Sequence, residues 1–185
     1  MKIEGYPVYI YEEVTSTMDI AKNLVKENRE GIVVAKRQTE GRGRYGRKWL
    51  SPFGGLYFSM VLKKKYITDY LNEVVSLSLI ELMKSFGIEN CKIKFPNDII
   101  IKGKKICGIL IEKSDDFYIL GIGINVKKNK EIEEAGYVSM EGLLNRKIEI
   151  EEVLRNFVKI FVYICKKFER NIEELLRIWS ENIIK

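Results

Sequence analysis

Four apolar runs in the middle of the sequence constrain the fold more than any other feature. The runs cover residues 32–35, 56–62, 106–112 and 117–126. They are rich in β-branched and aromatic side chains, which is typical of buried β-strands. Segments with apolar residues at helical spacing lie before, between and after them. The pattern therefore predicts an α+β fold, in which helices pack on a mixed and largely antiparallel sheet.

The predicted helices lie at both ends of the chain and in its middle. They carry Ile20 to Val25, residues near 68–86, Ile150 to Phe168 and Ile172 to Trp179. Thr15 or Ser16 is expected to cap the first helix, because a hydroxyl at that place accepts from a free backbone N–H. Gly87 is expected to end the second helix. Residues 127–149 are predicted to be a mixed loop with one short turn of helix.

Shorter strands complete the predicted sheet. Residues 8–11 form one. Pro96 divides residues 92–101 into two short strands or marks an edge of the sheet, because a proline cannot donate to a strand ladder. Residues 102–105 are expected to be a hairpin turn. A second hairpin turn is expected at Asp115-Asp116.

Composition excludes several kinds of catalytic site. The 185-residue chain has no histidine and three cysteines, and its formal net charge is +6. Without histidine there is no Ser-His-Asp triad or Cys-His pair, so a general base must be a carboxylate or a lysine. The widely spaced cysteines form no metal clip and suit a reducing cytosol. We expect no leader peptide at the start of the sequence, and no apolar run approaches ~18 residues. We expect one cytoplasmic domain over residues 1–185, with no membrane contact.

A long basic loop is predicted between two of the core strands. Residues 38–49 read Gln-Thr-Glu-Gly-Arg-Gly-Arg-Tyr-Gly-Arg-Lys-Trp. Glycines let the backbone approach an anion closely, and guanidinium groups pair with carboxylate or phosphate oxygens. The loop therefore suits an anionic ligand. Taken alone, it is equally consistent with a solvated basic loop or with nucleic-acid binding.

Polar residues also interrupt the apolar pattern in three later stretches. Asn97-Asp98 follows a proline, Lys105 and Glu112 flank one strand, and Asn125 ends another. Taken singly, each is explained by an ordinary turn or hairpin charge. Glycine recurs at every second position in residues 121–123, and that spacing in a strand indicates that another group lies close against one face.

Together, four of these stretches resemble the signature motifs of biotin protein ligases, in the family's order and approximate spacing. They are Gly-Arg-Gly-Arg-Tyr-Gly-Arg-Lys-Trp at 41–49, Lys-Phe-Pro-Asn-Asp at 94–98, Lys-Ile-Cys-Gly-Ile-Leu-Ile-Glu at 105–112 and Gly-Ile-Gly-Ile-Asn-Val at 121–126. The resemblance covers residues 8–180. It implies a fold like that of biotin ligases and class II aminoacyl-tRNA synthetases. It also implies that biotin and ATP form biotinyl-5′-AMP and pyrophosphate, after which biotin passes to a lysine of a biotin carboxyl carrier domain.

The resemblance assigns roles to individual residues. The catalytic residues would be Arg42, Lys105 and Asp98, with Asp98 deprotonating the acceptor lysine. The biotin-binding residues would be Ser16, Thr17, Gln38, Gly41, Arg42, Gly43, Arg44, Lys105 and Gly108. The ATP-binding residues would be Arg44, Arg47, Trp49, Asn97, Lys105 and Asn125. Gly108, Gly121 and Gly123 would leave room for a flat apolar ligand, and Trp49 would cover the bound ligand when the loop closes. Mg²⁺ would arrive on the phosphates of ATP, with no protein metal site.

The sequence also departs from the family pattern. Phe95 replaces a tryptophan, Met18 replaces an asparagine, and Tyr45 replaces an arginine. We expect no DNA-binding domain before residue 1, hence no DNA partner, and no small C-terminal β-barrel after Trp179. The resemblance adds a homodimer through a sheet edge as an expectation. Three rival interpretations stay open: a lipoate or octanoate ligase or transferase of related fold, a nucleic-acid-binding module, and an inactive biotin-binding protein.

Overall fold

A computed structural model of the chain describes residues 1–64, 69–114 and 116–184. The strands are β1 Lys2–Ile3, β2 Tyr6–Val14, β3 Gly31–Gln38, β4 Leu56–Lys63, β5 Lys92–Lys94, β6 Asp98–Ile101, β7 Lys104–Lys113 and β8 Phe117–Ile124. The helices are α1 Thr17–Lys26, α2 Leu71–Ser85, α3 Lys130–Glu134, α4 Met140–Leu144, α5 Ile150–Phe168 and α6 Ile172–Asn182. Residue 68, expected in the second helix, and Asp115, expected in a hairpin turn, lie outside the described residues.

The strands form one sheet in the order β1-β2-β3-β4-β8-β7-β6-β5. Only β2 and β3 pair in parallel; the other neighbours in the described sheet are antiparallel. The predicted α+β class and largely antiparallel sheet are therefore confirmed. Helix α1 lies between β2 and β3 in the chain and provides the crossover that these parallel neighbours require.

Helices cover both faces of the sheet, and the sheet separates the hydrophobic core into two parts. The larger part is formed with α2 and α5, where Phe58 of β4 packs edge-on against Phe157 of α5. The smaller part lies under α1 and includes Met18, Ala21 and Val33. Strands β4 and β8 are buried along almost their whole length because they have helices on both faces. They form a rigid platform for the loops at their ends.

Local chemistry explains where several elements begin and end. Ser16 caps α1 by accepting a hydrogen bond from the backbone N–H of Met18, which confirms the predicted cap. Gly87 follows α2 in a left-handed conformation at φ +88°, as predicted. Lys102 and Gly103, both at positive φ, form the tight turn between β6 and β7. Pro96 separates β5 from β6 and follows a cis peptide bond.

The prediction for residues 127–149 was wrong in one respect, because the segment contains two short helices and not one. Asn129 caps α3 and Ser139 caps α4 with side-chain oxygens that accept backbone hydrogen bonds. Each helix has only five residues, so hydrophobic periodicity could not reveal it. Within the part of the chain that the structure describes, none of the helices has the length and apolar character that a bilayer span requires.

Candidate active site

The basic loop between β3 and β4 folds as a small hairpin over one end of the sheet. The Gly43 N–H donates to the Arg47 carbonyl over 2.7 Å, and the Trp49 N–H donates to the Gly41 carbonyl over 2.8 Å. Arg42 and Lys48 face each other as a bridge pair. At the tip, Tyr45 has φ +57° and is 86% exposed. The residue at this departure from the family pattern is therefore largely exposed to solvent.

The base of the hairpin carries Trp49 onto the glycines of the central strands. A Cβ built at Gly108 would lie 2.9 Å from Cζ3 of Trp49, and one built at Gly123 would overlap the indole more severely. A Cβ at Gly121 would lie 2.7 Å from Sδ of Met18. The expected close approach at the glycine strand is confirmed, but the expected open space for a flat ligand is not present. Trp49 and Met18 fill that space in this structure.

Uncharged polar side chains from four segments meet at one end of this buried region, which we call the polar end. It consists of Ser16, Thr17, Gln38, Ser51 and Ser59. Gln38 Oε1 accepts from the Thr17 N–H at 2.8 Å and from the Thr17 hydroxyl at 3.1 Å, while Gln38 Nε2 donates to Ser51 Oγ at 2.9 Å. Ser51 Oγ donates to the Trp49 carbonyl at 3.1 Å. Thr17 Oγ1 lies 2.8 Å from Ser59 Oγ.

Arg42 and Lys105 come from opposite sides of the sheet's end and line the same small cavity of about 40 Å³. The polar-end residues Ser16, Thr17 and Gln38 line it too. Sites for small organic ligands usually enclose about 300–1,000 Å³. The cavity is therefore too small for such a ligand, which can enter it only if Trp49 moves away from the glycines.

Both cations have internal partners. Lys105 Nζ lies 2.7 Å from Asp98 Oδ1, as an ion pair without the alignment of a hydrogen bond, and 4.8 Å from the centre of the Trp49 ring. Arg42 Nη2 lies 2.5 Å from Oδ1 of Asp19, in the first turn of α1. Each charge is thus neutralised locally, and each partner must be exchanged when an anionic ligand arrives.

A larger cavity of about 550 Å³ continues from the small one toward solvent, and we call it the cationic cavity. Its charged lining consists of Arg44, Arg47, Lys48, Lys94, Lys104, Lys105 and one carboxylate, Asp98. Tyr137 also lines it, and its ring stacks on Trp49 with centroids 6.3 Å apart. This excess of positive charge in a concave site favours a polyanionic ligand.

Most of the predicted site residues come together at these two cavities. Asn97 lines both, and its amide donates to the Ile109 carbonyl over 3.0 Å. Asn125 lines neither of them: it is 2% exposed and its amide donates to the Val138 carbonyl, which holds the segment after β8 in place. Glu112 does not join Lys105 but pairs with Lys22 of α1 at 2.9 Å.

Gly41 also contributes to the site, although it lines neither of these two cavities. A Cβ at this position would lie 2.5 Å from both Ser51 Oγ and the Trp49 carbonyl oxygen, and 3.1 Å from Gln38 Nε2. A glycine is therefore needed for the polar end to close on the base of the loop.

Sequence reasoning missed several residues of the site. Ser59 carried a readable signal, since it is a hydroxyl in the middle of an otherwise apolar, buried strand. No sequence signal marked Ser51, Asp19 or Tyr137, because only folding brings these distant positions to the cavities. Cys107 lies behind Lys105, and its complete burial raises the pKa of its thiol well above the usual value. It therefore stays neutral and is no thiolate nucleophile.

The arrangement matches a known family. A model of the biotin/lipoate A/B protein ligase family matches residues 10–129, which is more than half of the chain. The chain belongs to this family. The matched residues include the polar end, the basic loop and the strands that carry Asp98 and Lys105.

Relatives within the family are similar over large parts of this ligase-family chain. The bifunctional ligase/repressor BirA of Escherichia coli is 30% identical over 154 residues, which is 76% of this chain and 48% of that protein. The human biotin–protein ligase is 34% identical over 137 residues, which is 64% of this chain and 19% of that protein. This chain thus spans about half the length, or less, of these relatives.

Solved structures agree with the sequence relatives. A biotin protein ligase from Aquifex aeolicus, in complex with biotin and ATP, is 34% identical with a TM-score of 0.84, covering 96% of this chain and 78% of that one. A Leishmania major biotin protein ligase bound to biotinyl-5-AMP is 25% identical with a TM-score of 0.84, covering 96% and 81% of the two chains. The family-like fold is therefore confirmed along nearly the whole of this chain.

Proposed function

We propose that this chain is an ATP-dependent biotin protein ligase. In the first reaction, a carboxylate oxygen of biotin attacks the α-phosphorus of ATP, the bond to the β-phosphate breaks, and biotinyl-5′-AMP and pyrophosphate form. In the second, a lysine amine of a carrier domain attacks the acyl carbon, AMP leaves, and an amide forms. The observation that carries the proposal is the meeting of Arg42 and Lys105 with the polar end around one cavity.

The first reaction brings two anions together, so its main requirement is positive charge held at the reacting atoms. Lys105 lines both cavities, which lets its ammonium bridge the biotin carboxylate and the α-phosphate. Arg42 would pair with the same carboxylate from the other side. Of these two cavities, Arg44 and Arg47 line only the cationic one, where the triphosphate of ATP would lie beside Asn97.

The polar end favours biotin over lipoate as the acid. Thr17 and Gln38 offer hydrogen bonds to a ring that carries N–H and carbonyl groups. A dithiolane ring has neither group, so the donor and acceptor positions that these side chains still have free would stay unpaired against it, at a cost of about 1–3 kcal/mol each. Relatives named biotin ligases, and a solved relative that holds biotin and ATP, support the same assignment.

The second reaction needs a neutral lysine. A free lysine with a pKa of ~10.4 is almost fully charged at neutral pH. Asp98 is the carboxylate that lines the cationic cavity, so it would hold the incoming ammonium and accept its proton. Its present partner, Lys105, would by then be turned toward the acyl-phosphate. Closure of the basic loop would keep water away from the reactive intermediate.

Magnesium would enter with the nucleotide. Among the described residues, no three Asp, Glu or Cys side chains are grouped as ligands for a metal ion. Mg²⁺ binds readily to phosphate oxygens while keeping several waters, so ATP itself would hold it. Its positive charge would add to that of the arginines and lysines around the triphosphate.

The partner of the second reaction would be a biotin carboxyl carrier domain. A homodimer through a sheet edge, the absence of a DNA partner and a cytoplasmic location stay predictions from the sequence. The three free cysteines are consistent with a reducing compartment.

The proposal is tested by incubating the protein with ATP, Mg²⁺, biotin and a carrier domain. We expect release of pyrophosphate and the mass of one added biotin on a single lysine. The same reaction with lipoate or octanoate is the comparison. Modification by lipoate and not by biotin would replace the proposal with the rival of the same family, and no pyrophosphate with any of these acids would reject it.

A further inference from the structure

The buried Ser59 lies behind the polar end, one layer away from the cavity. It is 0% exposed, and it sits on β4 between Val33 of β3 and Gly121 of β8. Among the described contacts, its hydroxyl has one side-chain partner, the hydroxyl of Thr17 at 2.8 Å. Either oxygen could be the donor from distance alone, so the direction must come from the rest of the network.

The orientation of the Gln38 amide is fixed by a group that can only donate. The backbone N–H of Thr17 points at the Gln38 side chain over 2.8 Å, so the atom that it meets must be the oxygen, Oε1. Gln38 Nε2 then faces Ser51 Oγ, which accepts from it. The proton of Ser51 goes to the carbonyl of Trp49, which can only accept.

The direction of the hydrogen bonds at the Thr17 hydroxyl follows from this orientation of Gln38. Its hydroxyl oxygen lies 3.1 Å from Gln38 Oε1, and two oxygens at this distance repel unless a proton lies between them. Gln38 Oε1 has no proton, so Thr17 must donate to it. Since a hydroxyl has one proton, Thr17 has none left for Ser59, and Ser59 must donate to Thr17.

The hydrogen-bonding capacity that these cavity-lining residues still have free is therefore defined. Thr17 Oγ1 keeps one lone pair, Gln38 Nε2 keeps one N–H, and the Ser16 hydroxyl keeps its proton while its oxygen accepts from the Met18 N–H. The polar end thus presents one acceptor and two donors. A ring edge with an N–H beside a carbonyl oxygen complements this set, because the N–H donates to Thr17 and the carbonyl accepts from the two donors.

We infer that Ser59 is a positioning residue: the hydrogen bond that it donates anchors the Thr17 hydroxyl, whose proton is on Gln38, so that the remaining lone pair is held in place to accept from a ligand with a ring N–H. The inference rests on the proposed function, because it names the part of biotin that Thr17 meets. Ser59 acts through Thr17 and does not touch the ligand. Gln38 accepts the proton of Thr17, and the Ser59 hydroxyl holds the threonine oxygen from the opposite side to the ligand.

The test compares biotin with its two carbamate analogues, in each of which one ring N–H is replaced by oxygen. Titration calorimetry gives the dissociation constants for the wild type and for Ser59→Ala. Loss of one hydrogen bond to the network is expected to weaken biotin binding about fivefold to tenfold. One of the two analogues lacks the N–H that would donate to Thr17. For that analogue, Ser59→Ala is expected to change the dissociation constant less than about twofold.

A matched control separates this effect from general packing. Ser78 is also 0% exposed, and its hydroxyl donates to the Val74 carbonyl within α2, away from both cavities. Ser78→Ala should leave all three dissociation constants unchanged. If Ser59→Ala does not fold, Ser59→Cys keeps most of the volume with a much weaker donor and should show the same pattern.

The outcomes distinguish this inference from the proposed function. A wild type that binds neither biotin nor the analogues would overturn both. A wild type that binds biotin, together with a Ser59→Ala variant that binds it equally well, would overturn the inference alone. The same holds if Ser59→Ala weakens biotin and both analogues by the same factor, since that result indicates packing and not the direction of a hydrogen bond.

Discussion

The polar end and the cationic cavity lie side by side but are built in opposite ways. The polar end is made of short, buried, uncharged side chains whose hydrogen bonds are anchored at both ends by backbone groups. The cationic cavity is made of long charged side chains, and the one carboxylate lining it, Asp98, is paired with Lys105. The first already has its hydrogen bonds in place and admits a neutral ring once Trp49 moves, whereas the second must exchange partners to bind an anion.

The difference indicates where specificity and rate arise. Short side chains fixed by backbone lose little conformational freedom on binding, so the polar end suits discrimination between rings. Charges that develop during phosphoryl transfer need strong electrostatic stabilisation, which mobile but abundant cations can provide once water is excluded. Trp49 connects the two regions, since its carbonyl ends the polar network and its ring contacts Lys105.

The largest effect is expected from removing the two central cations. Lys105→Ala and Arg42→Ala should each slow biotinyl-adenylate formation by about 10²–10³-fold, the range seen when one electrostatic donor is lost. Release of pyrophosphate in single-turnover experiments measures the rate. Lys159→Ala, at an exposed position of α5, is the control. A normal rate in either site variant would remove that residue from the mechanism.

Replacing the carboxylate of the cationic cavity should separate the two reactions. Asp98→Asn is expected to slow transfer from pre-formed biotinyl-adenylate by about 10²-fold, because a general base is lost. Transfer of biotin to a carrier domain, followed by mass spectrometry, gives the rate. The exposed Asp116→Asn serves as the control. An unchanged transfer rate would exclude Asp98 as the base.

The polar end should be sensitive to small additions of volume. Gly41→Ala places a methyl group 2.5 Å from Ser51 Oγ and the Trp49 carbonyl oxygen. Overpacking of this kind costs about 1–3 kcal/mol, so biotin affinity should fall about 5- to 150-fold. At Gly43 the nearest atom to a new Cβ is 3.4 Å away, and Gly43→Ala should have a smaller effect. Equal dissociation constants for the two variants would contradict the structural role given to Gly41.

Ligand binding should protect the loop that joins the two regions. Arg42, Arg44, Arg47 and Lys48 are trypsin sites in residues 40–49, which we predict to be mobile without ligand. Biotin with ATP should slow cleavage there several-fold, because closure removes the backbone from the protease. Peptide mapping over time gives the rates, with cleavage in α5 as the internal reference. Equal loop cleavage with and without ligands would count against closure.

The smallest effect is expected at the ion pair between α1 and the loop. Asp19 holds Arg42 in a pair in which both side chains are about two-fifths exposed, and such pairs contribute about 0–1 kcal/mol. Asp19→Asn should therefore raise the affinity for biotin about twofold to fivefold, and leave that for the alcohol analogue of biotin unchanged. Asp19→Glu should restore the wild-type values. A higher affinity for both ligands would show that Arg42 does not pair with the carboxylate of biotin.

The sequence by itself determined the α+β class and the order of the main elements, and it predicted Arg42, Arg44, Arg47, Asp98 and Lys105 among the charged residues that line the two cavities. These follow from local patterns: apolar runs, helical spacing, glycines at caps and the four motifs. It also indicated that something lies close against the glycines of β8. Such features depend on nearest neighbours along the chain, so they can be read without knowing the fold.

Only the tertiary structure decided what lies against those glycines and which partners the charges take. Trp49 and Met18 occupy the space, Asp19 pairs with Arg42, and Asn125 lies off the cavities. The direction of the hydrogen bonds from Ser59 to Trp49 likewise required coordinates. Contacts between residues far apart in sequence depend on register, loop path and rotamers together, and no local pattern records that combination.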